Sequence, residues 1–230
     1  MSIYLHEIVS VVPGREEEYM ASVLSLLSIP ERRKPGLKYA LPVGLFRTAQ
    51  HSGPWPRVVN LWEHEGWETL TGALSRQFRD QARDEKMEAW WKANTDLRTG
   101  GHDRVLLPSE TTRDRRGLAR DGIRGRVFVH EIVKLPLGES TPFLERLAGI
   151  EPAFERIGWL KVGAYRVAWR PREVVLLWAL PEWNSIGALE QAATEDSELA
   201  SWVDYRNQIV QGVEEMILLP GRMNPLSLRD

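Results

Sequence analysis

A chain of 230 residues with 43% hydrophobic and 27% charged side chains has the apolar content for a packed core and the length of one large or two small domains. A net charge of −2 leaves no basic footprint for nucleic acid, the lack of cysteine removes disulfides and thiolate chemistry, and no apolar run reaches the ~20 residues of a membrane span. The N-terminus, MSIYLHEI, opens directly as a strand, so a cytoplasmic protein is expected, with neither nucleic acid nor membrane as a partner.

Residues 3–12 are rich in β-branched side chains and stop at Pro13-Gly14, which predicts a strand. In REEEYMASVLSLLS the first turn is acidic and Tyr19, Val23, Leu24 and Leu27 share one face, the pattern of a helix. Pro35-Gly36 opens a second strand, LKYALPVGLFRT, and the loop AQHSGPWP leads to a third, RVVNLWEH. Trp67, Leu70, Leu74 and Phe78 then recur at helical spacing, and a further helical stretch carries Met87, Trp90, Trp91 and Leu97. Gly100-Gly101 is expected to end that helix and HDRVLLP to form the fourth strand.

The order then starts again. IYLHEIVSVVPG returns as VFVHEIVKLPLG, with His6-Glu7 recurring as His130-Glu131, 124 positions on. LKYALPVGLFR matches LKVGAYRVAWR at an offset of 123, VVNLWEHEGW matches VVLLWALPEW at 116, and VLLP matches ILLP at 112. Four anchors in one order mean a duplicated unit of roughly 110 residues. The first unit spans 1–108 and the second 126–220, with a C-terminal tail at 221–230. Between them SETTRDRRGLARDGIRG, residues 109–125, is charged and glycine-rich, with Leu118 and Ile123 as lone apolar residues, and is expected to be a solvated tether.

A βαββαβ unit makes a ferredoxin-like four-stranded antiparallel sheet with both helices on one face. Two such units can cover each other's open faces, so the expected architecture is α+β: two fused repeats packed sheet to sheet as a barrel, with room for a small ligand between the sheets.

Differences between the copies mark what the fold does not require. On the third strand Val59 and Leu61 share one face and become Val175 and Leu177. Val58, Asn60, Trp62 and His64 share the other, read here as the barrel-facing row, and become Val174, Leu176, Trp178 and Leu180. An amide and an imidazole are thus exchanged for two leucines, which makes Asn60 and His64 candidate catalytic residues, since a buried polar group costs a few kcal/mol without a partner. On the first strand His6 is in phase with Tyr4 and Ile8 and is the pocket-facing member of its pair, a third catalytic candidate. The recurrence of His-Glu in both copies also suits a shared structural hydrogen bond to the neighbouring third strand. Tyr4, Trp62 and Trp90 supply flat walls for an aromatic ring, and Tyr39 and Arg47 complete the substrate-binding set. No metal is expected, because HExxH and equivalent ligand spacings are missing, and neither GxGxxG nor GxSxG occurs.

RVVNLWEHEGW and the helix behind it resemble the dimeric α+β barrel superfamily, in its NIPSNAP-like and antibiotic-biosynthesis-monooxygenase branches, and the likeness covers both copies. In the monooxygenase branch an asparagine on this strand helps to hold the substrate carbonyl, with a tryptophan four residues onward lining the pocket. Asn60 matches the asparagine, whereas His64 stands at the tryptophan position and Trp62 two residues earlier. The resemblance and the candidate groups together imply a cofactor-independent enzyme of secondary or catabolic metabolism. Its substrate would be a small aromatic or polyketide-like compound, and its reaction proton transfer, as in isomerisation or cyclisation, or oxygenation. A non-catalytic binding protein for an apolar metabolite and a haem-binding or haem-degrading barrel are the alternatives. The fused pair suits a monomer with an internal pseudo-dimer, or a homodimer through the outer helices.

Overall fold

The computed structural model of the chain describes residues 1–28, 40–78 and 85–228. In the first half β1 (Ile3–Val11) leads into α1 (Glu16–Ser25), β2 (Leu41–Thr48), β3 (Arg57–His64), α2 (Trp67–Phe78), α3 (Glu85–Ala93) and β4 (Arg98–Pro108). A short α4 (Arg115–Arg120) follows. The second half contains β5 (Val127–Lys134), α5 (Ser140–Gly149), α6 (Glu151–Arg156), β6 (Leu160–Val167), β7 (Arg170–Leu180), α7 (Ala188–Ala192), α8 (Ser197–Ile209) and β8 (Gly212–Pro220). Each half is an antiparallel sheet, β4-β1-β3-β2 and β8-β5-β7-β6, and the pairs β2–β8 and β4–β6 close the two into one barrel. This is the expected α+β barrel of two ferredoxin-like repeats.

Which face meets which neighbour differs from the sequence reading. Val59, Leu61, Val175 and Leu177 lie in the barrel core with Tyr4, Ile8, Phe46, Phe128 and Tyr165. Val58 and Trp62 instead pack on Tyr19, Met20 and Val23 of α1, and Trp178 packs on Phe154 and Trp202 beneath α6 and α8. Asn60 and His64 share the strand parity of Trp62, so the row assigned to the barrel belongs to the helix layer. Both faces of this sheet are buried, so the alternation along β3 names two faces without saying which is inner. Eight strands enclose an interior that side chains can fill or that can hold one small ligand. Among the described residues that interior is occupied by the aliphatic and aromatic set above.

The segment 109–125 also departs from expectation. Asp114 Oδ1 accepts a hydrogen bond from the Gly117 amide and caps α4. Leu118 and Ile123 are buried in the barrel core beside Leu226 of the tail. Two apolar residues are too few for a self-standing fold, yet enough to stopper an existing apolar barrel end. Gly100-Gly101 likewise lies within β4 instead of ending α3. A Cβ on Gly101 would stand 2.6 Å from the Ile8 carbonyl oxygen, so this glycine lets β4 approach β1 closely.

The register also corrects one anchor of the repeat. Gly44 pairs with Leu61 and Gly163 with Leu177, each beside a register shift in its strand. VGLFR at 43–47 therefore superposes on VGAYR at 162–166, an offset of 119 in place of 123.

Candidate active site between sheet and helices of the first half

Glu7 of β1 faces the helices, directly opposite Asn60 of β3 and Asp103 of β4. Its Oε2 accepts hydrogen bonds from the Trp62 indole Nε1 at 2.6 Å and the Asn60 Nδ2 at 3.1 Å. Asn60 is fully buried, and with Nδ2 committed to Glu7 its Oδ1 has no partner. Tyr19 of α1 lies against the same amide; burial raises its hydroxyl pKa most, and the charge of Glu7 adds to this. The Glu7 carboxyl is only partly buried by exposed surface yet densely surrounded by protein. Desolvation is the largest cause of its raised pKa; the Trp62 hydrogen bond opposes it, and the charge of Asp103 adds to it. Asp103 is raised too, again chiefly by desolvation.

The second half repeats this arrangement and closes it. Glu131 accepts from the Trp178 indole at 3.1 Å and faces Glu215, the counterpart of Asp103. There Arg206 of α8 inserts its guanidinium, pairing with Glu131 and, at 3.1 Å, with Glu215. Carried back by the 112-residue offset of β4 and β8, the Arg206 position is Asn94. Among the described residues neither Glu7 nor Asp103 has an ion pair. The nearby Arg98 guanidinium instead lies 3.9 Å over the Trp91 ring.

The expected site residues divide between the two faces of the sheet. Asn60 and Trp62 meet at Glu7. Trp90 packs into the same apolar layer, its indole donating to the Ser22 carbonyl at 2.9 Å and docking α3 on α1. Arg47 is on this face at the rim, half exposed and 3.5 Å from Glu17. His64 is buried, but four residues beyond Asn60, about 13 Å at ~3.3 Å per residue. Tyr4 and His6 lie on the opposite face, in the barrel. Tyr4 packs against Tyr165 with ring centroids 5.0 Å apart. Tyr39 lies outside the described residues.

His6 and His130 meet at the barrel centre, Nε2 to Nε2 at 2.9 Å with ring planes 10° apart, so the rings join edge to edge across the two halves. One must donate and the other accept, which requires the accepting ring to be neutral. Desolvation is the main cause that lowers both pKa values, that of His130 to about 3. His6 is therefore a structural tie sealed from the Glu7 group, not a proton shuttle for it. The second half also buries Lys161, where the first has Pro42, but its ammonium is satisfied by Thr111 Oγ1 at 2.6 Å and by Glu151. It binds the inter-repeat segment to α6.

Sequence reasoning missed Glu7 and Tyr19 as site members. The signal for Glu7 was present in the repeated His-Glu pair, and the expected hydrogen bond to the third strand is the one Glu7 and Glu131 make. Tyr19 read only as one apolar position of a helix stripe.

No family model matches the chain, and no curated protein matches it. Solved structures do. A candidate monooxygenase from Lactobacillus acidophilus NCFM is similar over 95% of this chain and 93% of its own, with a TM-score of 0.60 and 11% identity. An anthrone oxidase-like protein covers 95% and 91% at a TM-score of 0.57 and 8% identity. A NIPSNAP-like domain protein from Burkholderia xenovorans matches 49% of this chain and 90% of its own, with a TM-score of 0.36 and 21% identity. The chain shares the fold of the two larger neighbours, an α+β barrel with both halves in one polypeptide.

Proposed function

We propose that the first half is the working copy of the pair: a small-molecule enzyme site in which Glu7 is the proton acceptor. The observation that carries this reading is the difference at one locus. Two opposed carboxylates share the same strand positions in both halves, and among the described residues only those of the second half are ion-paired to a guanidinium. A carboxylate desolvated without a paired cation is the stronger base, the pattern by which proteins tune a Glu for general-base work, although the charge of the nearby Arg98 partly opposes the rise.

Trp62 and Asn60 aim Glu7, and the aromatic layer with Trp90 and Tyr19 offers flat, apolar surface to a ring. One Asn60 Nδ2 hydrogen is committed to Glu7, and its unpartnered Oδ1 is an acceptor for a ligand's N–H or O–H. The step is removal of a proton from the polar head of a small aromatic or polyketide-like compound. The bond to hydrogen breaks, an O–H bond forms on Glu7, and the electron pair stays on the substrate for isomerisation or cyclisation. Oxygenation is a second outcome of the same step, in which the substrate anion itself reduces dioxygen. Likeness in fold to a candidate monooxygenase and an anthrone oxidase-like protein motivates it.

Incubating the protein with a small-metabolite extract and following the compounds by mass spectrometry tests the reading. At least one compound should be consumed by the wild type and by Glu215→Gln in the second half, and Glu7→Gln should slow it about 100-fold or more, the scale of a lost general base. Consumption by Glu7→Gln at the wild-type rate would sink the proposal, as would an extract that no variant changes.

A further inference from the structure

Among the described residues, two buried amide oxygens on the helix side of the first half lack a partner. Glu7 and Asp103 face each other across the β1–β4 ladder, their Cβ atoms about 5 Å apart at such a pairing, with no ion pair to either among the described residues. Asn60 Oδ1, on the amide that holds Glu7, is fully buried and unpartnered. Asn94 Oδ1, at the residue that the 112-position offset matches to Arg206, is also buried without a partner. An orphan buried acceptor costs free energy, and the Asn60 amide that carries one is bonded to the Glu7 carboxylate. The second half shows what complements such a set, because Arg206 places one N–H-rich cation against both Glu131 and Glu215. There the Asn60 counterpart is Leu176, and no amide acceptor is needed.

We propose that the ligand of the first half carries a nitrogen cation, an amine, amidine or guanidine attached to an aromatic body, and that this head occupies the place taken by Arg206 in the second. The inference rests on the functional reading above and narrows its substrate class. The head donates to Glu7, Asp103 and Asn60 Oδ1, while the ring lies on the layer formed by Trp62, Tyr19 and Trp90. Asp103, the more exposed carboxylate, balances the charge, and Glu7 is the acceptor placed to take an N–H proton and free the nitrogen lone pair.

Benzamidine, an aromatic amidinium, is the probe, with benzamide and benzoate as its neutral and anionic counterparts, measured by calorimetry on the full chain. Benzamidine should bind at least about tenfold more tightly than either, a difference of about 1.4 kcal/mol. Asn94→Arg, which supplies an internal guanidinium, should abolish binding, and Asp103→Asn should weaken it by about tenfold, with Glu215→Gln unchanged. Far-ultraviolet circular dichroism of each variant keeps loss of binding apart from loss of fold. Equal affinity for the three probes, or benzamidine binding that survives in folded Asn94→Arg, overturns the proposal. Compounds consumed through Glu7 without benzamidine selectivity would overturn the cationic head and leave the proton-transfer reading standing. Selective benzamidine binding with no compound consumed would do the reverse.

Discussion

At the residue scale, the same dipeptide has two unrelated duties because neighbours on a strand face opposite ways. His6 and His130 point inward and share one proton between the halves, while Glu7 and Glu131 point outward and accept from the indoles of Trp62 and Trp178. The histidine pair predicts a pH dependence with a definite sign. Folded pKa values depressed below the unfolded 6.5 mean that the unfolded chain binds protons the folded one refuses. Stability is therefore complete above about pH 6.5 and falls as pH drops towards 3, by up to about 1.4 kcal/mol per pH unit for each ring. Urea unfolding between pH 7 and 5 should show this loss, and His130→Leu or His6→Leu should flatten the slope by about half. A slope unchanged in both variants would contradict the neutral pair.

At the element scale, the third strand shows what the sequence could and could not convey. Its alternation separated Val59 and Leu61 from Asn60 and Trp62 correctly, and the replacement of Asn60 by Leu176 marked a real asymmetry. The direction of each face was not legible, because helices cover one side and a second sheet the other, and both demand apolar residues. Trp62 and Trp178 could have decided it, since such large side chains suit the space beneath helices better than the narrow barrel. The cationic half of the contrast, Arg206 against Asn94, was hidden by its distance from the strand motifs, in a helix whose two copies differ in length. Glycines at the second strand of each half carry another element-level expectation. A Cβ on Gly44 would run into the Phe46 ring, and one on Gly163 into the Tyr165 ring, where aromatic side chains fold back over the strand. Gly44→Ala and Gly163→Ala should each destabilise the barrel by about 1–3 kcal/mol, read as a lower denaturant midpoint with unchanged slope. Full stability in either would show that the aromatic ring can move aside.

At the scale of the whole molecule, duplication within one chain lets the halves diverge, which two identical subunits cannot do. The βαββαβ plan and the sheet-to-sheet barrel of two repeats were legible from four repeated anchors, whereas the strand order and the closing pairs β2–β8 and β4–β6 came from the structure. The ordering of 109–125 was not, because its local composition is that of a tether and only the barrel end supplies the apolar surroundings for Leu118 and Ile123. Divergence has left one half with a closed ion network, Glu131–Arg206–Glu215, and the other with the same two carboxylate positions open. The single substitution Asn94→Arg tests this central contrast most directly, by measuring both thermal stability and compound consumption in the full chain. The account predicts a protein with a Tm at or above that of the wild type, its Glu7–Asp103 pair now neutralised from within, and with consumption lost. A folded Asn94→Arg protein that turns over its compound at the wild-type rate would contradict it.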